Sequence, residues 1–225
     1  MIVFDDSLAV RSLTDQLRMK KARVLKLRPT QFAIGMREAE QKLKKLSRLP
    51  KNQLNKYVQK HPIKVVRSPQ NEFYIVDHHH LLAVLWLLGV KKVPVRVTKT
   101  FATRKMSRPR FWKLLAARRM MHLYDQFGHG PHEPLYLPED IRGLGDDPYR
   151  SLVWMVEQEN GIRDTREPYA EFAWAQFFRK RKLLSPAGRE QLDSALKKAL
   201  AVCRSREARH LPGYRSPKRR RRTGR

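Results

Sequence analysis

Asp77, His78, His79 and His80 follow the β-branched and aromatic run Phe73 to Val76 and precede Leu81 to Leu88, a segment apolar on nearly every face. Such a segment, closed by Gly89, reads as a buried helix. Asp77 is expected to cap its N-terminus, which puts the three histidines in the first turn, where backbone N–H groups have no partner within the helix. A helix start of this kind attracts anions, and imidazoles add donors and carry protons near neutral pH. Asp77 and His78 are therefore expected to hold a phosphate, with His79 and His80 as the acid–base groups. Two other readings stay open. The histidines can be polar caps, or part of a metal site; consecutive helical residues diverge, so one ion would take Asp77 with His80, or one histidine with a distant ligand such as Glu38, rather than all three rings.

Arg37, Glu38, Glu40 and Lys42 lie on an expected helix after Gly35, where Glu38 is the candidate for base or metal duty and a solvated charged face is the alternative. His129, His132 and Glu133 occupy a Gly- and Pro-rich connection from Gly128 to Pro148 and are lid candidates. Phe172, Trp174, Phe177 and Phe178 have the spacing of packing residues, leaving Glu171 as the functional candidate on that helix. Phe111 and Trp112 with Lys113, Arg118 and Arg119 suit either a nucleic-acid groove or a helix with one apolar and one basic face.

Elements must position these groups. Leu8 to Lys21 reads as a basic helix, and Val24 to Leu27 as a strand ending at Pro29. Helices are expected over Arg37 to Leu46 and Asn52 to Gln59, and strands over Ile63 to Val66 and Phe73 to Val76, joined by the turn Ser68-Pro69-Gln70-Asn71. Val93 to Val97 is a further strand, whose Pro94 suggests an edge or an end. Four later helices are expected, from Arg110, Tyr149, Tyr169 and Ala187.

The chain has 225 residues, 41% of them hydrophobic, enough for a core. Its 49 Lys and Arg against 21 Asp and Glu give a formal charge of +28, which points to a polyanion, with DNA the first choice. Arg215 to Arg225 holds seven basic residues and no acid, so 49 − 7 = 42 remain against 21, and the folded part is basic too. One cysteine, Cys203, excludes an internal disulfide and suggests a reducing, cytoplasmic setting. The longest apolar run, Leu81 to Val90, is about half of what a membrane helix needs, so no membrane is expected.

Ile75 to Gly89 resembles, without a gap, the ParB/sulfiredoxin superfamily segment of strand, Asp-Gly-Glu-Arg-Arg, helix and Leu-Gly. His78 stands at the family's Gly, His79 at the Glu of ParB or the reactive Cys of sulfiredoxin, and His80 at the first Arg; Leu81 replaces the last Arg. The superfamily's free-serine kinases carry Asp-Gly-His-His-Arg there. The likeness covers about Arg23 to Thr98. Leu27-Arg28-Pro29-Thr30-Gln31, the histidines, Asp146-Asp147-Pro148-Tyr149-Arg150-Ser151-Leu152 and Tyr169 to Trp174 together are similar to the bacterial ParB-like nuclease family, over about Arg23 to Arg181.

The resemblance implies an α+β fold with a small mixed sheet and helices; the helical pattern after Ser107 adds a helical C-terminal lobe, and the basic tail, which lacks apolar periodicity, is expected to be disordered. The expected boundaries are 1–22 for the basic helix, 23–106 for the α/β core, 107–210 for the lobe and 211–225 for the tail. The resemblance also makes phosphate-binding candidates of Gln31, which stands where the serine kinases have their base but cannot take a proton, and of Arg37, at the next helix start. Without Cys at position 79, sulfiredoxin chemistry is excluded. DNA phosphodiester hydrolysis, with Mg²⁺ or Mn²⁺ as a candidate ion, is the leading implied reaction. The alternatives are a nucleotide-dependent kinase of a small metabolite and a non-catalytic nucleotide- or DNA-binding switch.

The seven tail charges imply a sequence-independent contribution to duplex binding with a log–log salt slope of at most about −6. Deleting Arg215 to Arg225 is expected to flatten that slope, measured by fluorescence anisotropy across a salt series; an unchanged slope would place the contact on the folded surface.

Overall fold

The computed structural model describes residues 20–101, 106–165, 167–185 and 191–216. In chain order its elements are β1 (Lys20–Arg23), β2 (Leu27–Arg28), β3 (Ala33–Ile34), α1 (Met36–Leu46), α2 (Lys51–Lys60), β4 (Ile63–Arg67), β5 (Phe73–Asp77) and α3 (His79–Leu87). There follow β6 (Lys92–Thr100), α4 (Arg108–Ala117), β7 (Gly145–Asp146), α5 (Pro148–Gln158), α6 (Ala170–Lys180) and α7 (Leu192–Val202). The chain divides into two compact units: Met1–Phe32 with Ala39–Leu123 and Glu133–Leu144, and Ala33–Glu38 with Tyr124–His132 and Gly145–Arg225. None of the described helices is long and apolar enough to cross a membrane.

The first unit is built on a mixed sheet of five strands in the order β1-β6-β4-β5-β2, consistent with the expected α+β class. The β4–β5 hairpin forms as its turn residues suggest, with Arg67 opposite Phe73 and Asn71 supplying a left-handed φ of 64°. The expected strand at Val24 to Leu27 is instead a 3-10 turn, Val24–Lys26, before two strand residues. The reason is topological. β1 and β2 lie at opposite edges, and the four steps from Arg23 to Leu27 reach at most about 14 Å, whereas a flat five-strand sheet is about 19 Å wide. The sheet must therefore curl, and a tight turn rather than a strand bridges its edges.

Lys20 and Lys21, expected at the end of a helix, are strand residues paired antiparallel with β6; residues 1–19 of that helix lie outside the described residues. β6 is not an edge strand but runs between β1 and β4. Pro94 is tolerated because pairing with β4 starts only at Val95. In β4 and β5 the pairs Val65 with Ile75 and Val66 with Tyr74 face opposite sides of the sheet, and all four side chains are buried. Val66 and Tyr74 share a cluster with Phe101, Phe111, Leu115 and Met121, so α4 packs within this unit. Phe111 is thus a core residue rather than part of a groove.

In the second unit β3 and β7 form a two-residue parallel ladder, and a core built on Leu152, Val156, Trp174, Phe177, Phe178 and Ala199 joins α5, α6 and α7. Trp174, Phe177 and Phe178 are buried, as their spacing suggests. Ordered packing runs past the expected start of the tail: Leu211 is buried, Trp174 Nε1 donates to the Pro212 carbonyl at 2.7 Å, and the Arg163 N–H donates to the Gly213 carbonyl at 2.8 Å. Residues 217–225 of the tail lie outside the described residues.

Gly35 is required by close approach. A Cβ there would meet the Ser151 nitrogen at 2.8 Å and the Arg150 carbonyl carbon at 3.0 Å, both backbone atoms of α5 that cannot swing aside. Gly35→Ala is expected to lower stability by about 1–3 kcal/mol in urea titration, as overpacking does; an unchanged midpoint would show that the strand and helix are free to separate there.

Candidate functional site

In the first unit α3 begins one residue after β5, so the chain must reverse at His78. It does so with φ 72° and ψ 29°, the left-handed conformation that favours glycine, and glycine is what the resembling families carry there. The expected cap is therefore corrected: Asp77 is the last residue of β5, and His78 occupies the N-cap position with no side-chain cap bond. A corner this tight leaves the Asp77 side chain on the strand side. Its Oδ1 accepts the His78 N–H at 2.7 Å, and its Oδ2 accepts from Lys64 Nζ at 2.6 Å. Burial alone would raise the Asp77 carboxyl, but the Lys64 bond and the neighbouring His78 outweigh it and hold it below the usual carboxylate range.

His78 Nδ1 lies 3.0 Å from the Pro62 carbonyl, which it can only approach as a donor, and its Nε2 is 3.9 Å from Asp77 Oδ2. His79 is 6% exposed, and its Nε2 accepts the Thr30 N–H at 3.4 Å. Thr30 is tied down again by Oγ1 donating to the Ile75 carbonyl at 2.6 Å, and Gln31, itself buried, bridges to His122. The segment after β2 is thus laid against the corner, and Gln31 joins the Asp77 to His80 group in one unit. His80 is half-buried. No three His, Cys, Asp or Glu side chains among the described residues are arranged to hold a metal ion.

Arg37 and Glu38 belong to the second unit. The start of α1 is occupied there: Asp146 Oδ1 accepts the Met36 N–H and Ser151 Oγ the Arg37 N–H, both at 3.1 Å. The Arg37 guanidinium reaches Asp193 at 3.5 Å. Asp147 caps α5, accepting from the Tyr149 N–H at 2.9 Å, and takes Arg179 Nη2 at 2.7 Å. Arg150, 6% exposed, donates to the Ala33 carbonyl at 3.0 Å, pairs with Glu171 at 3.4 Å and lies 3.9 Å over the Phe172 ring. The two sequence motifs at 146–152 and 169–174 are therefore in contact with one another.

Around Arg150 the sequence candidates Glu38 and Glu171 meet a third carboxylate that the sequence reading missed, Glu157. Burial first, then the charges of Glu171, Glu38 and Asp164, push the Glu157 carboxyl up to about 7 against the pull of Arg150. Nothing local marks Glu157, which sits in an ordinary helical stretch; its neighbours come from other parts of the chain. A carboxyl that titrates near neutrality can give or take a proton, which makes this cluster a candidate acid–base site of the second unit.

A protein-family model described as "Putative ParB-like nuclease" matches residues 20–180. The crystal structure of protein Atu1540 from Agrobacterium tumefaciens is 32% identical with a TM-score of 0.80, covering 89% of this chain and 99% of that one. No curated protein matches this chain.

Because the Glu157 carboxyl is raised from 4.5 to about 7 on folding, the folded state keeps a proton that the unfolded chain gives up, and stability falls as pH rises through that window. Glu157→Gln is expected to behave like the wild type at pH 4.5 and to melt several degrees higher at pH 8 by calorimetry. Parallel pH dependences in the two proteins would show that Glu157 ionises freely in the folded state.

Proposed function

As this chain belongs to the ParB-like nuclease family, we propose that it binds DNA and hydrolyses its phosphodiester bonds. The observation that carries the reading is the corner at His78, whose left-handed φ of 72° sets the first turn of α3, with His80, where the resembling families bind phosphate. The excess of 49 basic over 21 acidic residues supplies the attraction to the polyanion. The first-turn N–H groups of α3 favour the phosphate, and His80 is the group that moves the proton.

The corner divides the labour among the histidines. His78 and His79 are engaged with the Pro62 carbonyl and the Thr30 N–H, so they hold the corner's shape, while Asp77 neutralises Lys64 rather than binding an anion. Among the described residues no three His, Cys, Asp or Glu side chains are arranged to hold Mg²⁺ or Mn²⁺. A phosphate-binding corner would serve a nucleotide-dependent kinase or a nucleotide-binding switch as well, and the experiment below separates both from hydrolysis.

Purified protein is incubated with plasmid DNA, and separately with ATP, ADP and CTP, each with and without Mg²⁺ or Mn²⁺. DNA cleavage is the expected outcome. His80→Gln is expected to lose about 10²-fold in rate while still folding and binding DNA, whereas His79→Gln lowers the melting temperature. Full cleavage by His80→Gln would refute that role, and nucleotide turnover or nucleotide-dependent binding without cleavage would replace hydrolysis by the kinase or switch reading.

A further inference from the structure

Residues 124–132 of the second unit form a loop whose shape is set by one carboxylate. Asp125 Oδ1 accepts the Phe127 and His129 N–H groups, both at 2.9 Å, and the Asp125 N–H donates to the His129 carbonyl at 3.0 Å. The Gly128 N–H adds a bond to the Asp125 carbonyl at 3.1 Å, which completes the turn. Asp125 Oδ2 is left to two imidazoles, His132 Nε2 at 3.0 Å and His129 Nδ1 at 3.9 Å.

The loop is pinned from the helix beneath it. Arg179, which neutralises Asp147, also donates to the Gln126 carbonyl at 3.3 Å. Gly128 has φ +81°, and a Cβ there would come within 2.8 Å of Arg179 and Gln176. Yet Phe127, at the tip of this fixed turn, is 63% exposed, and its ring lies 6.2 Å from that of His129, itself 78% exposed. Leaving a phenyl ring in water sacrifices burial that a rigid loop could have gained by turning it inward. A flat aromatic face held out in this way, on a chain with a net charge of +28, suits the face of an unpaired base on a polyanionic strand.

We propose that the loop Asp125–His132 is a docking site for single-stranded nucleic acid, in which an unpaired base stacks on Phe127 and the strand's phosphate meets the exposed imidazole of His129. The site rests on the nucleic-acid reading above and adds a preference that duplex binding does not require. A paired base has both faces covered by its neighbours and cannot use the ring.

The test measures binding of the full chain to labelled oligothymidylate, oligouridylate and a duplex of equal length. Phe127→Ala is expected to weaken single-strand affinity about 5- to 100-fold, the range of one base–aromatic stack, with little change for the duplex; Phe127→Tyr restores it. His129→Gln weakens single-strand binding, and the imidazole signal of His129 moves on oligonucleotide addition. The two single strands show whether the site tells DNA from RNA. Unchanged single-strand affinity in Phe127→Ala, or an equal loss for single strand and duplex, overturns this site while leaving the nucleic-acid reading intact. A wild-type protein that binds neither form removes both.

Discussion

The burial of α3 governs the architecture of the first unit. A helix apolar on nearly every side cannot lie on a surface, and Leu81, Leu82, Val84 and Leu85 are all buried. At about 1.5–3 kcal/mol for each such side chain, their burial outweighs the roughly 1–3 kcal/mol of strain in one left-handed non-glycine residue. The strain at His78 is therefore tolerated. It follows that the helix draws its first residue, His79, inward and leaves Asp77 on the strand, so the histidine triplet becomes three different environments.

In the second unit buried charge adds a second constraint to the apolar core. Arg150 and Arg179 are largely buried and need partners, since an unpaired buried cation costs several kcal/mol. Asp147, Glu171 and the Ala33 carbonyl supply them and in doing so join the β3 strand to α5 and α6. These contacts are a source of register more than of net stability, because desolvation offsets much of the attraction. The same arrangement crowds carboxylates together. Burial first, then the charges of Glu171 and Glu38, push the Glu157 carboxyl up to about 7 despite the opposing pull of Arg150. Local conflicts of this sort are where acid–base function is to be sought.

Much of the fold was legible because it is written in neighbouring residues. The β4–β5 hairpin follows from alternating β-branched residues around Ser68-Pro69-Gln70-Asn71, and α3 from its unbroken apolar run. The family motifs were legible as motifs, but their roles were not. Asp146 and Ser151 cap the start of α1, Asp147 holds Arg179, and Arg150 reaches Ala33, all partners distant in sequence.

The sequence by itself determined the basic character of the chain, its strand–corner–helix element and the family to which its motifs point, since periodicity, composition and short motifs are properties of adjacent residues. Only the tertiary structure decided that the corner turns at a left-handed His78, that Lys64 and the His78 N–H divide the Asp77 carboxylate, and that His79 is buried against Thr30. It also decided that β1 and β2 close a curled sheet and that Glu38, Glu157 and Glu171 share one field. The physical reason is common to all of these. Protonation, exposure and hydrogen-bond partner depend on which side chains meet across the fold, and spacing along the chain does not encode those meetings.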